Sequence, residues 1–160
     1  MLSVKYIGRF IQNLFPIIII DAPDDDFAGA IAMRDAYLAA NPNAWSPMQF
    51  SNRRNIECHF TSTAPEIHRQ TVALKRPWEA FVHGSGTGGT IEGIRRYLTY
   101  HKMMTKVCMV KPSESPHGIQ GIADGKEFLA KEKDMHEILE VKTTSVPDEF
   151  QANVILNSFL

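Results

Sequence analysis

Four glycines in six residues, Gly84, Gly86, Gly88 and Gly89, with Thr87 and Thr90 among and after them, form the segment with the clearest chemical content. Glycine reaches left-handed backbone conformations and leaves no Cβ between main chain and ligand. Successive N–H groups in such a loop, ahead of a helix N-terminus, cradle an anion. Thr87 and Thr90 add hydroxyl donors. Phosphate is the natural guest. The structural alternative is a ligand-free strand-to-helix turn, but four glycines exceed what a turn requires. Gly84, Gly86 and Gly89 also fit the G-x-G-x-x-G spacing of a dinucleotide loop. That reading needs an acid at the end of the next strand, and Val110-Lys111-Pro112 stands there instead. Lys111 would have to meet a 2′-phosphate.

Other reactive residues form weaker patterns. Cys58, His59 and His68 are too few and too scattered for a structural zinc site, and read as a loop cysteine with exposed histidines. Asp21 and Asp24–Asp26 lack the alternating ligands and glycine of a calcium loop. They suit the first turn of a helix, where negative charge is favoured. His83 precedes the glycine loop, and two readings stay open: a packed strand residue, or a group that helps hold a bound phosphate when protonated. Arg53 and Arg54 read as a solvated pair.

These residues need a scaffold, and the apolar pattern supplies one. Ile17–Ile20 is a β-branched run of a strand buried on both faces, preceded by a helix over 3–14. A transit peptide is the alternative for the first twenty residues, but they hold one arginine and little serine. Phe27 to Ala40 has helical spacing and stops at Asn41-Pro42-Asn43. A short strand is expected over 45–50 and a polar loop over 51–61. A helix then runs to about Leu74, with Thr63 as cap and Pro65 in its first turn. Strands follow over 79–83, 106–111 and 138–143, with a helix over 90–100, a loop over 111–125 and a last helix over 147–159. Strands separated by helices imply an α/β fold with a parallel sheet flanked by helices.

Composition bounds the function. Of 160 residues, 44% are hydrophobic and 22% charged, and 17 basic against 18 acidic residues leave a net charge of −1. These values fit a globular chain and exclude a disordered tail or a strongly basic nucleic-acid binder. No apolar run approaches the roughly 18 residues of a membrane span. Two cysteines give no disulfide scaffold, so a reduced, cytoplasmic setting is expected.

Several blocks together resemble the cysteine synthase family, the O-acetylserine sulfhydrylases, and the related cystathionine β-synthases. They are Gln49-Phe50-Ser51-Asn52, Thr63-Ala64-Pro65-Glu66-Ile67, Gly84 through Thr90, Lys111-Pro112-Ser113-Glu114-Ser115-Pro116 and His117-Gly118-Ile119-Gln120-Gly121-Ile122, in family order. The resemblance implies a partial fold-type-II pyridoxal-phosphate-enzyme architecture, like that of tryptophan synthase β. Residues 1–50 then look like a remnant of the small mobile domain, and 51–160 like the first part of the large cofactor-phosphate-binding domain. Gly86, Thr87, Gly88, Gly89 and Thr90 match the cup for the phosphate of pyridoxal 5′-phosphate. Gln49 and Phe50 match residues on the substrate side. Gly121 falls in the segment that closes over the cofactor, although Ala123-Asp124-Gly125 departs from its glycine-rich form.

The resemblance also implies an incomplete set of chemical groups. The family's Schiff-base lysine lies before everything matched here, and none of the nine lysines stands in a similar context. No catalytic residue is therefore assigned. The expectation is a truncated, cysteine-synthase-like chain, inactive by itself, that joins a full-length homologue or a complementary chain as a homo- or hetero-oligomer. The alternative is a non-catalytic binding module that has lost the cofactor; the family forms regulatory complexes, notably with serine acetyltransferase. Neither nucleic acid nor membrane is an expected partner.

Overall fold

The computed structural model describes residues 27–114, 117, 121, 122 and 128–141. The expected helix over 3–14, strand over 17–21 and helix over 147–159 lie outside them. The chain divides into two compact units, Met1–Pro47 and Met48–Leu160.

In the first unit, α1 spans Phe27–Ala40. Asn41 closes it: its side-chain amide donates to the Tyr37 carbonyl at 2.9 Å, and its carbonyl accepts from the Ala44 N–H at 2.9 Å. The expected strand over 45–50 does not form. Trp45 is 82% exposed, Pro47 has no N–H to give a ladder, and Met48 adopts a left-handed φ of 48°. From Met48 onward, in the second unit, the chain turns tightly. The Met48 carbonyl accepts from the N–H groups of both Ser51 and Asn52.

The second unit opens with a helix where a loop was expected. α2 is Arg54–Cys58, a π turn follows over His59–Thr63, and α3 is Ala64–Ala73. The polar run Thr61-Ser62 satisfies its hydroxyls within the helix, each donating back to a carbonyl one turn earlier, Thr61 to Glu57 at 2.8 Å and Ser62 to Cys58 at 2.6 Å. Ile56 and Ala64 are buried along the same helical face. Thr63 consequently caps nothing. It lies inside the helical path, and its hydroxyl bonds His59 Nδ1 at 2.9 Å. The π turn, in which the Ala64 N–H reaches the His59 carbonyl, accommodates Pro65, which has no N–H of its own to offer.

Three parallel strands make the sheet, in the order β1-β2-β3: Ala80–Gly84, Lys106–Pro112 and Glu137–Val141. Phe81 pairs with Val107, His83 with Met109, and Met109 with Ile138. β2 is central and buried from Val107 to Val110, as expected of a strand in a covered parallel sheet. α4, Gly89–Tyr100, links β1 to β2. Its Ile91, Ile94 and Leu98 form the core with Val107, Met109, Ala64 and Ala130. Glu92 on α4 is 3% exposed but not alone. Arg95 grips both its carboxylate oxygens at 2.7 and 2.9 Å, and Arg96 donates at 2.6 Å. Burial would raise the carboxyl pKa, but the two guanidinium groups outweigh it and hold Glu92 below its usual value. No helix among the described residues is long and apolar enough to cross a membrane.

Candidate anion site at the strand-to-helix loop

β1 ends at Gly84 and α4 begins at Gly89, so residues 85–88 make the whole connection. The turn is this short because Gly88, at the N-cap of α4, takes a φ of 83°. A side chain there would be strained, and its Cβ would also press on Ala130. The amide N–H groups of Gly86, Thr87 and Gly88 donate to no group among the described residues. They sit at the positive end of α4, where unmade backbone donors favour an anion.

Thr87 is locked in place. Its hydroxyl oxygen accepts from Asn55 Nδ2 at 3.0 Å and from the Gly89 N–H at 3.3 Å, and its carbonyl accepts from the Leu129 N–H at 3.0 Å. With two donors already on the oxygen, the Thr87 hydroxyl proton is left for another acceptor. Thr90 Oγ1 meets His59 Nε2 at 3.1 Å. His59, on the π turn, thus bonds Thr63 through one ring nitrogen and Thr90 through the other. Burial lowers its pKa. Asn55 also donates to the Gln49 carbonyl at 3.1 Å, which ties the turn before α2 to the loop.

A cavity of about 260 Å³ lies against the loop. Gly86, Thr87, Gly88, Thr90, His83 and Gly121 are among the residues on its wall. Four of the five loop residues singled out in the sequence therefore border it. Gly89 instead lies in the first turn of α4, packed on Asn55. Gln49 and Phe50 are not on the wall. Gln49 is exposed and acts through its carbonyl on Asn55, while Phe50 packs its ring 4.6 Å from Phe128. Lys111 does not line the cavity but pairs with Glu132. His83 is buried enough to lower its pKa, and a charge on His59 would lower it further; the adjacent Gly84 backbone acts in the opposite sense.

Two residues that position the loop were not assigned to it from the sequence: Asn55 falls in the polar stretch read as loop, and His59, read as an exposed histidine, is half-buried against Thr63 and Thr90. Cys58 is exposed and His59 is engaged by threonines. No group of three or more His, Cys, Asp or Glu side chains suited to a metal occurs among the described residues.

Comparison with known proteins gives this geometry a context. The chain is 35% identical over 99 residues to a probable cysteine synthase of Bacillus subtilis, an overlap of 62% of this chain and 32% of that protein. It is 48% identical over 67 residues to cysteine synthase 2 of Schizosaccharomyces pombe, covering 42% of this chain and 16% of that one. The crystal structure of cysteine synthase from Entamoeba histolytica superposes with a TM-score of 0.68 at 29% identity, covering 89% of this chain and 44% of that chain. The chain thus spans about a third of the length of the Bacillus relative and under half of the Entamoeba structure. Its structural neighbours are fold-type-II enzymes, and its parallel sheet and flanking helices are part of that architecture. The sequence pattern of the pyridoxal-phosphate dependent enzymes matches residues 15–155, and the chain belongs to that family, among its cysteine-synthase-like members.

Proposed function

We propose that the loop Gly86–Thr90 holds the phosphate of pyridoxal 5′-phosphate, and that a second polypeptide supplies the rest of a cysteine-synthase-like active site. The observation that carries this reading is the set of three uncommitted amides, on Gly86, Thr87 and Gly88, beside a hydroxyl whose proton is free. That donor set suits a phosphate dianion. The cavity, at about 260 Å³, is smaller than the roughly 300–1,000 Å³ that encloses a whole ligand. It suits the phosphate end of the cofactor, with the ring walled from elsewhere.

When bound, pyridoxal phosphate supplies an electron sink for an amino-acid substrate. What this chain contributes is binding and orientation. Asn55 and His59 fix Thr87 and Thr90, and the end of α4 supplies positive potential. No lysine borders the cavity among the described residues, and in this reading the second polypeptide supplies the lysine that carries the cofactor. The partner is a full-length homologue or a complementary chain. The free thiols of Cys58 and Cys108 fit a cytoplasmic setting. The second reading is a protein-binding module that takes no cofactor.

Titration of the 160-residue chain with pyridoxal phosphate tests both. The expected result is saturable binding, at least about tenfold weaker for pyridoxal, which lacks the phosphate. Borohydride treatment and intact mass should then show no adduct on a defined lysine. A stoichiometric adduct on one lysine would overturn the claim that the lysine comes from elsewhere. No binding at all would select the module reading.

A further inference from the structure

Thr63, His59 and Thr90 form a chain of side chains that runs from the π turn to the cavity wall. The His59 ring meets the Thr63 hydroxyl through Nδ1 at 2.9 Å and the Thr90 hydroxyl through Nε2 at 3.1 Å. Neither hydroxyl has another hydrogen-bond partner among the described residues. Thr90 lies in the first turn of α4 and on the wall of the cavity, whereas Thr63 and His59 stand behind it. The ring is held from two sides. It rides on the π turn, and α4 comes close enough at Gly93 that an added Cβ would stand 2.6 Å from His59 Cβ.

A neutral imidazole carries one proton, so it donates to one threonine and accepts from the other. Burial lowers the His59 pKa, so the neutral ring dominates at pH 7. Two arrangements make the same two bonds. With the proton on Nδ1, His59 donates to Thr63 and accepts from Thr90. The Thr90 proton is then spent, and its oxygen can offer an anion only lone pairs. With the proton on Nε2, Thr63 donates to Nδ1 and Nε2–H donates to Thr90, whose own proton is left for the cavity. The arrangements differ in which threonine keeps a proton to spare, and Thr90 is the one at the cavity wall. We propose that His59 is a positioning residue: a phosphoryl group in the Gly86–Thr90 loop fixes it as the Nε2–H tautomer, and the Thr90 hydroxyl then donates to a phosphoryl oxygen. The inference rests on the phosphate reading above and adds what turns that hydroxyl toward the ligand. The bonds run in one direction, from Thr63 to His59 to Thr90 to the phosphoryl oxygen, and each polarises the next.

Multiple-bond ¹H–¹⁵N spectra of the wild-type chain, with its histidines ¹⁵N-labelled, distinguish a ring nitrogen that carries a proton from one that does not. They are recorded at about pH 8, above the histidine range, without ligand, with saturating inorganic phosphate and with saturating pyridoxal phosphate. His59→Asn, which keeps a group near the Nδ1 position and none near Nε2, identifies the His59 signals by their loss. The expected result, with either ligand, is a proton on Nε2 and a bare Nδ1. His59→Asn should bind pyridoxal phosphate about tenfold more weakly, as for one lost hydrogen bond to a charged group. His59→Gln, which returns an N–H near the Nε2 position, should recover part of that loss. In a Thr90→Val background, His59→Asn should weaken binding no further, because the two residues act through one hydroxyl. An Nδ1–H ring in the ligand-bound chain, while the loop amides respond, would sink this inference and leave the phosphate reading standing. An equal loss from His59→Asn in both backgrounds would do the same, since it marks a purely structural role. If neither the loop amides nor His59 responds to either ligand, both readings fall. The wild-type spectra decide the matter even where a variant fails to fold.

Discussion

Asn55 holds Thr87 from one side and packs on Gly89 from the other. A methyl group at Gly89 would land on the Asn55 amide. Gly89→Ala should therefore displace Asn55, release Thr87 and weaken phosphate-ester binding by about tenfold or more. The strain of overpacking adds about 1–3 kcal/mol of lost stability, readable by urea unfolding. A variant that binds and unfolds like wild type would show that Asn55 does not position the loop. At this scale the sequence was legible where the signal is local. Glycines at 84, 86, 88 and 89 mark a tight strand-to-helix loop, and Gly88 takes the left-handed φ that it needs. Asn55 and His59 carried no such mark, because their meaning comes from contact with a loop about thirty residues away.

The elements explain why those contacts exist. Residues 51–61 read as a polar loop ahead of a helix capped by Thr63, yet Ile56 and Phe60 continue the helical spacing of Ala64 and Ile67 and lay one face toward the core. That period was present in the sequence but masked by the hydroxyls of Thr61, Ser62 and Thr63, which suggest a loop until their back-bonding is seen. α4 packs closely on this segment at Gly93, where an added Cβ would stand 2.6 Å from His59 Cβ and 2.7 Å from the Ile56 carbonyl. Gly-to-Ala in an ordinary helix stabilises by up to about 1 kcal/mol. Here the sign should reverse. Gly93→Ala should destabilise by about 1–3 kcal/mol and pull His59 from Thr90, weakening phosphate binding as well. A rise in Tm would show that the two helices are not held this tightly.

Over the whole molecule, the parallel α/β plan was legible because short β-branched runs alternate with helical ones, and β1, β2 and β3 fall within a residue or two of their expected places. The expected strand over 45–50 failed because a strand needs a partner, and Pro47 and Met48 turn the chain instead. A chain matching about a third of a probable cysteine synthase nonetheless builds, within its own second unit, the whole strand-loop-helix turn that we propose as a phosphate site. The most direct test of that claim is a two-dimensional ¹H–¹⁵N spectrum of the chain titrated with pyridoxal phosphate. The account predicts saturable shifts centred on the amides of Gly86, Thr87, Gly88 and Thr90. Shifts scattered over surface lysines, with these four amides unmoved, would contradict it.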